Sequence, residues 1–213
     1  CGSTHMEKLC ALVKEQHLDV GFAFDGDADR CIAVDEHGNV VDGDAMMYIL
    51  GLRLKSRGML NKNTVVATVM SNSGFFASLK KVGIDVDQTK VGDRFVYESM
   101  QNNDFSLGGE QSGHIIIKKY ATTGDGILTA LMIAEEMCDR KLSLSKLAEP
   151  VMLYPQYLLN LRVKDKKAAM SDPAVLEAQK ATDALINGAG RTLLRQKHKS
   201  LIIGKCMVMP GTF

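Results

Sequence analysis

The chain has 213 residues, enough for one or two ordinary domains with a real core. Hydrophobic residues make up 46% and charged residues 24%, the balance of a soluble globular protein. The formal net charge is +1, so no strong field calls for nucleic acid or a membrane surface, and an anionic substrate has to be met by local cations. No apolar run is long enough for a transmembrane helix.

Residues 1–6 lack the basic start and apolar stretch of a signal peptide and read as a cloning scar outside the fold. Leu9, Leu12 and Val13 then give a helical spacing over 7–16. The apolar run 20–24 stops abruptly at Asp25-Gly26-Asp27-Ala28-Asp29-Arg30, and 31–34 is apolar again before a turn at 36–39. The acidic hexad is therefore expected as a loop between two strands. Asp42-Gly43-Asp44 offers an N-cap for a helix over 45–55. Strand 65–69, a helix from the capping residues 71–73 to Lys81, strand 84–86 and helix 94–101 follow. Residues 106–117 read as strand, Gly-rich break and strand. Gly124-Asp125 opens a periodic helix whose Ile127, Leu131, Ala134 and Cys138 share one face, expected to be the buried one. After Pro150 the pattern changes to strand 158–163, a helix from Asp172-Pro173 to Ile186, and strand 191–194, followed by a tail from 196 that has no clear period.

Strands alternating with helices imply an α/β fold with a sheet covered on both faces. The expected organisation is the end of one α/β domain over 7–41, a complete mixed-sheet α/β domain over 42–152, and a partial α+β domain over 153–213. The five cysteines form no C-x-x-C pair and no zinc spacing. Cys10, Cys31 and Cys138 lie in apolar runs and are expected as small core residues, reduced in a cytoplasmic protein.

Asp25, Asp27 and Asp29 alternate in a Gly-containing loop, an arrangement that turns three carboxylates the same way. A hard divalent cation wants several such oxygens, and without one the charges repel. An EF-hand calcium loop would need Gly at the sixth position, where this chain has Arg30, and helices rather than strands as flanks. Arg30 fits better as a phosphate partner beside the metal, its planar fork holding two oxygens. In the loop 108–114, Glu110 can accept from vicinal hydroxyls, Ser112 can donate or accept, and His114 can shuttle a proton near neutral pH. Lys90-Val91-Gly92-Asp93-Arg94 adds two cations, and Thr122-Thr123-Gly124-Asp125-Gly126 reads first as a helix cap.

In this order, these stretches resemble the α-D-phosphohexomutase superfamily over about residues 7–195. The hexad 25–30 is similar to its metal loop and 109–114 to its sugar loop, and the Gln111-Ser112-Gly113-His114 wording favours the phosphoglucosamine mutase branch. The resemblance implies a four-domain enzyme in which a phosphoserine hands its phosphoryl group to a phosphorylated amino sugar through a bisphosphate. It implies Mg²⁺ on Asp25, Asp27 and Asp29, sugar contacts from Glu110 and Ser112 with Gly92 and Arg94 beside them, and Arg30, Lys90 and His114 near the phosphate or the proton transfer. It also implies contact with a membrane diadenylate cyclase as a possible protein partner. Two departures stand out: no Ser here has the context of the phosphoserine loop, and Gln196-Lys197-His198-Lys199-Ser200 stands where the family has a phosphate clamp. The chain alone is therefore expected to be inactive, and its incomplete last domain to favour a homodimer through exposed strand edges.

Overall fold

The computed structural model describes residues 5–186, 190–197 and 200–208. Cys1 and the middle of the basic run, His198 and Lys199, lie outside the described residues. The chain forms two compact units, one of residues 1–71 and 75–152, the other of 72–74 and 153–213.

The first unit opens with helix α1 (Glu7–Glu15) and a meander of three antiparallel strands, β1 (Val20–Phe24), β2 (Cys31–Asp35) and β3 (Val40–Val41), in the order β1-β2-β3. β2 is buried along its whole length, which is why 31–35 reads as continuous apolar sequence up to Asp35. Asp35, itself buried, accepts from the backbone N–H groups of His37 and Asn39 and so folds the turn that leads into β3.

Helix α2 (Gly43–Ser56) follows, its N-terminus capped by Asp42 Oδ1, which accepts from the Ala45 N–H at 3.1 Å. Met46, Met47, Tyr48, Ile49, Leu50 and Leu54 are all buried. A helix apolar all round has to be enclosed, and α2 is the centre of this unit's core. The second sheet is mixed, in the order β5-β4-β6-β7: β4 (Thr64–Thr68), β5 (Asp85–Thr89) and β6 (Leu107–Gly109) run parallel, and β7 (Ile115–Ile117) returns antiparallel to β6. Helices α3 (Ser73–Lys81) and α4 (Asp93–Asn103) make the crossovers. α5 (Gly126–Arg140) packs on α2, and the short α6 (Leu144–Ala148) closes the unit.

The buried face of α5 is not the one the sequence predicts. Ile127 and Leu131 are 56% and 64% exposed, and Cys138 is exposed too. Thr129, Ala130, Met132, Ile133 and Glu136 face inward instead. The helix is apolar around most of its circumference, so two stripes compete, and an ion pair selects between them. Arg53 of α2, only 2% exposed, reaches Glu136 Oε2 at 2.5 Å, Glu135 Oε2 at 2.5 Å and Asp139 Oδ2 at 3.0 Å. That network fixes the rotation of α5, which apolar periodicity alone leaves open. Of the cysteines expected in the core, Cys31 is buried, Cys10 is half-buried, and Cys138 rides the solvent face of α5.

The second unit contains β8 (Gln156–Leu161), α7 (Lys166–Ser171), α8 (Pro173–Ile186), β9 (Gly190–Arg191), β10 (Leu194–Lys197) and β11 (Ser200–Val208), with strand order β10-β11-β8 and β9 also pairing with β11. Two expectations change here. The single strand 191–194 is two short strands separated at Thr192-Leu193, because the Thr192 N–H and hydroxyl both turn to Asp183. The tail without a clear period holds the nine-residue β11, paired antiparallel with β8 through a register shift between Ile203 and Lys205. A bulge of that kind breaks the alternation by which a strand is read.

Two predictions follow from the first unit. Arg53→Met leaves Glu136 buried without its main cation and is expected to cost about 3–5 kcal/mol, whereas Arg53→Met with Glu136→Leu recovers most of that loss. Urea midpoints of the two variants measure it. Glu36 receives the Ser145 N–H at 3.2 Å and the Ser145 hydroxyl at 2.5 Å, tying the β2–β3 turn to α6. Partial burial raises its carboxyl, but hydrogen bonds from Ser143 and Ser145 outweigh that and bring it down to about 2. A lowered carboxyl stabilises the folded chain above its ordinary value and loses that contribution as pH falls toward 2. Wild type is expected to lose up to about 3 kcal/mol more than Glu36→Gln between pH 5 and pH 2, read from denaturation at each pH.

Candidate metal and sugar-binding site

The acidic loop leaves β1 at Phe24 and rejoins the sheet at Cys31, so its ends are fixed by an antiparallel ladder in which Phe24 pairs with Cys31. Between them the Ala28 N–H donates to the Asp25 carbonyl at 3.2 Å, and Ala28 takes a left-handed φ of 57°. That conformation costs about 1–2 kcal/mol outside glycine. It is held because the first N–H of α5, from Gly126, donates to the Ala28 carbonyl at 2.9 Å. The result is the convergence the sequence predicts. One carboxylate oxygen from each of Asp25, Asp27 and Asp29 lies within 4.8 Å of the others. An octahedral Mg²⁺ with oxygens at about 2.1 Å sets its ligands about 3–4 Å apart, so three oxygens at this spacing need only a small contraction. Burial, and next the neighbouring Asp25, push the Asp29 carboxyl up, partly offset by His114. The crowded anionic charge is what a bound cation would relieve, and the donor set of carboxylate oxygens alone suits a hard divalent ion.

Arg30 lies against this cluster. Its backbone N–H donates to Asp25 Oδ1 at 3.2 Å, and its Nε sits 3.5 Å from Asp25 and 3.8 Å from Asp29. With 44% of its side chain exposed, the rest of the guanidinium fork remains open to solvent.

The loop 110–114 joins β6 to β7 and is welded to the acidic loop. The Cys31 N–H donates to the Gly113 carbonyl at 3.1 Å, and Arg30 and His114 form an isolated antiparallel bridge. Gly113 has φ +90°, and a Cβ there would lie 2.0 Å from the Cys31 carbonyl oxygen, so this contact admits only glycine. Gly43 at the start of α2 is equally confined, its N–H donating to Gln111 O at 3.0 Å and a Cβ meeting Glu110 O at 2.1 Å. Gln111 Nε2 in turn donates to Asp42 Oδ2 at 2.9 Å.

His114 differs from its expected role as a proton shuttle. It is 2% exposed and both ring nitrogens are engaged. The Gly124 N–H donates to Nε2 at 3.0 Å, so Nε2 carries no proton and Nδ1–H donates to Asp29 Oδ2 at 3.0 Å. The imidazole thereby braces the Asp29 carboxylate of the acidic loop. Sequence reasoning reads Gly124 as part of a helix cap and misses that it fixes this tautomer. Its signal is steric, since a Cβ at Gly124 would meet the imidazole at 2.6 Å.

Glu110 Oε1 accepts the Gly92 N–H at 3.0 Å, and Ser112 Oγ lies 3.4 Å from Glu110 Oε2. These contacts bring the loop 90–94 beside the loop 110–114. Lys90 is exposed, its Nζ 6.0 Å from the Phe95 ring centroid. Arg94 is 80% exposed and turned along α4 to Glu98 at 2.7 Å, so the structure does not aim it at Glu110.

Residues 42–154 match the family model for phosphoglucomutase/phosphomannomutase alpha/beta/alpha domain III, and residues 3–38 match domain II of the same family. The chain is 51% identical over 212 residues to the phosphoglucosamine mutase of Lachnoclostridium phytofermentans, covering 100% of this chain and 47% of that protein. It is 54% identical over 194 residues to that of Geobacillus kaustophilus, covering 91% of this chain and 43% of that protein. It therefore spans about half the length of these curated relatives. Among solved structures, a phosphoglucomutase/phosphomannomutase family protein of Burkholderia thailandensis superposes with a TM-score of 0.78 at 22% identity, over 98% of this chain and 47% of that one. The Aspergillus fumigatus N-acetylphosphoglucosamine mutase, solved with GlcNAc-6P and magnesium, gives 0.73 at 18% identity, over 98% and 49%. With the fold, the acidic loop and the two family-model matches in agreement, this chain belongs to the phosphoglucomutase/phosphomannomutase family.

Proposed function

We propose that this chain supplies the cation-binding loop and the sugar-gripping loop of a phosphoglucosamine mutase, whose parent interconverts glucosamine 6-phosphate and glucosamine 1-phosphate. The observation that carries the reading is the group of three aspartate oxygens within 4.8 Å, braced through Asp29 and His114 to the loop that holds Glu110. Identity of 51–54% to phosphoglucosamine mutases supports the amino sugar over other hexoses.

Asp25, Asp27 and Asp29 would hold Mg²⁺, which supplies neutralisation of charge on a transferring phosphoryl group. Glu110 accepts hydrogen bonds from vicinal sugar hydroxyls, with its orientation set by the Gly92 N–H, and Ser112 serves the next hydroxyl. The open side of the Arg30 guanidinium and the exposed Lys90 ammonium attract the phosphate of the substrate. His114 keeps Asp29 oriented. A phosphoserine would serve as the phosphoryl donor. A cytoplasmic location fits this chemistry.

Calorimetric titration of this chain with Mn²⁺ is expected to show one site, lost in Asp27→Asn and weakened about 10–100-fold in His114→Gln. Undiminished binding by Asp27→Asn removes the cation site. In the parent, faster turnover of mannose or glucose phosphate than of glucosamine phosphate would overturn the sugar assignment.

A further inference from the structure

Asp42 has two duties at the start of α2, and only one of them is local. Its Oδ1 accepts the Ala45 N–H at 3.1 Å and caps the helix. Its Oδ2 accepts a hydrogen bond from Gln111 Nε2 at 2.9 Å, across 69 positions of chain. The next residue, Gly43, donates its N–H to the Gln111 carbonyl at 3.0 Å. The first N–H groups of a helix find no partner inside it, and α2 gives one of them to the loop 110–114. Gln111 is thereby held at two points, its side-chain amide and its carbonyl. Both partners are adjacent residues of a helix whose Met46, Met47 and Leu50 are buried.

Gln111 is also a central residue of a turn. The Gly113 N–H donates to the Glu110 carbonyl at 3.0 Å, which puts Gln111 and Ser112 in the middle of the four residues 110–113. The ends of that turn are tied to their neighbours: the Glu110 N–H donates to the His114 carbonyl at 3.0 Å, and the Gly113 carbonyl accepts the Cys31 N–H at 3.1 Å. Its tip is tied to α2. The two middle side chains take different partners, Gln111 bonding Asp42 while Ser112 Oγ lies 3.4 Å from Glu110 Oε2. Neighbouring residues in so short a turn do not rotate independently, so the anchor on Gln111 also sets the direction of Ser112. A carboxylate acceptor makes the side-chain anchor a strong one.

We propose that Asp42 is a positioning residue for sugar recognition: through Gln111 it holds the tip of the turn so that Ser112 and Glu110 serve one ligand together. The inference rests on the reading of Glu110 and Ser112 as hydroxyl contacts. Capping alone does not use the second carboxylate oxygen.

The two duties can be separated. Asp42→Ser keeps a capping oxygen and has no second one for Gln111. Asp42→Asn keeps the cap and can donate from Nδ2 to a rotated Gln111 amide. Gln111→Met removes the anchor without touching the cap. The test is amide exchange of the full chain by NMR, with titrations of Mg²⁺ and of glucosamine 6-phosphate. In Asp42→Ser and in Gln111→Met, the Gly113 N–H is expected to exchange about tenfold faster and glucosamine 6-phosphate to bind about tenfold more weakly. The Ala45 N–H and the Mg²⁺ affinity are expected to stay as in wild type. Asp42→Asn is expected to remain within about threefold of wild type, and the double variant Asp42→Ser with Gln111→Met to be no worse than either single one. Absence of any shift at 110–113 in wild type with millimolar glucosamine 6-phosphate overturns the sugar reading, and this proposal with it. Wild-type binding that Asp42→Ser and Gln111→Met both match overturns this proposal alone. So does an Ala45 N–H loosened as much as that of Gly113 in Gln111→Met, or an Asp42→Asn variant that binds as weakly as Asp42→Ser.

Discussion

The candidate site depends on one hydrogen-bonded line: Gly124 N–H to His114 Nε2, and His114 Nδ1–H to Asp29. Three carboxylates in a short loop repel one another, and left to solvent they would splay apart. The buried imidazole prevents this for Asp29 without adding a full charge. Because a backbone N–H occupies Nε2, the ring proton sits on Nδ1, where it points at Asp29. An imidazolium in the same place would stabilise the aspartate more strongly but would also compete with a cation for it. A neutral brace positions the carboxylate and leaves its charge available.

The brace works only because several backbones come unusually close. Gly113 against Cys31, Gly43 against Glu110 and Gly124 against His114 each leave no room for a Cβ. These contacts fasten the acidic loop, the loop 110–114 and the starts of α2 and α5 to one another. Loops carry function where a rigid scaffold positions them, and here the loops are part of the scaffold. Ala28 shows the same logic in reverse, since its left-handed backbone is held where the first N–H of α5 grips its carbonyl.

Much of this was legible in the sequence, for identifiable reasons. The acidic hexad between two apolar runs, the Asp42 cap and the Gly-rich break between β6 and β7 are local signals, and local chemistry fixes them. The rotation of α5 was not legible, because an apolar helix offers two faces and a buried arginine on another element makes the choice. Nor was β11, where a shift in pairing register hides the alternation. The role of His114 failed for a third reason. Sequence shows a histidine in a polar loop, but its tautomer and orientation are decided by Gly124, ten residues away, and by Asp29, eighty-five residues away.

The acidic and basic parts of the site are built on different terms. The Asp25 and Asp29 carboxylates are fastened by a backbone N–H and a buried ring, whereas Lys90 and Arg94 stand in solvent on the 90–94 segment, linked to the loop 110–114 by the Gly92 N–H to Glu110. A cation site needs fixed oxygens, since a small ion tolerates little error in ligand distance. A phosphate met by lysine needs less: the ammonium acts as a point charge, and its long stem can follow the ligand. The Gly92–Glu110 bond joins the two regimes, because moving the basic segment would pull on the Glu110 carboxylate. Through that one bond, the position of the 90–94 segment and the orientation of the Glu110 carboxylate become mechanically dependent.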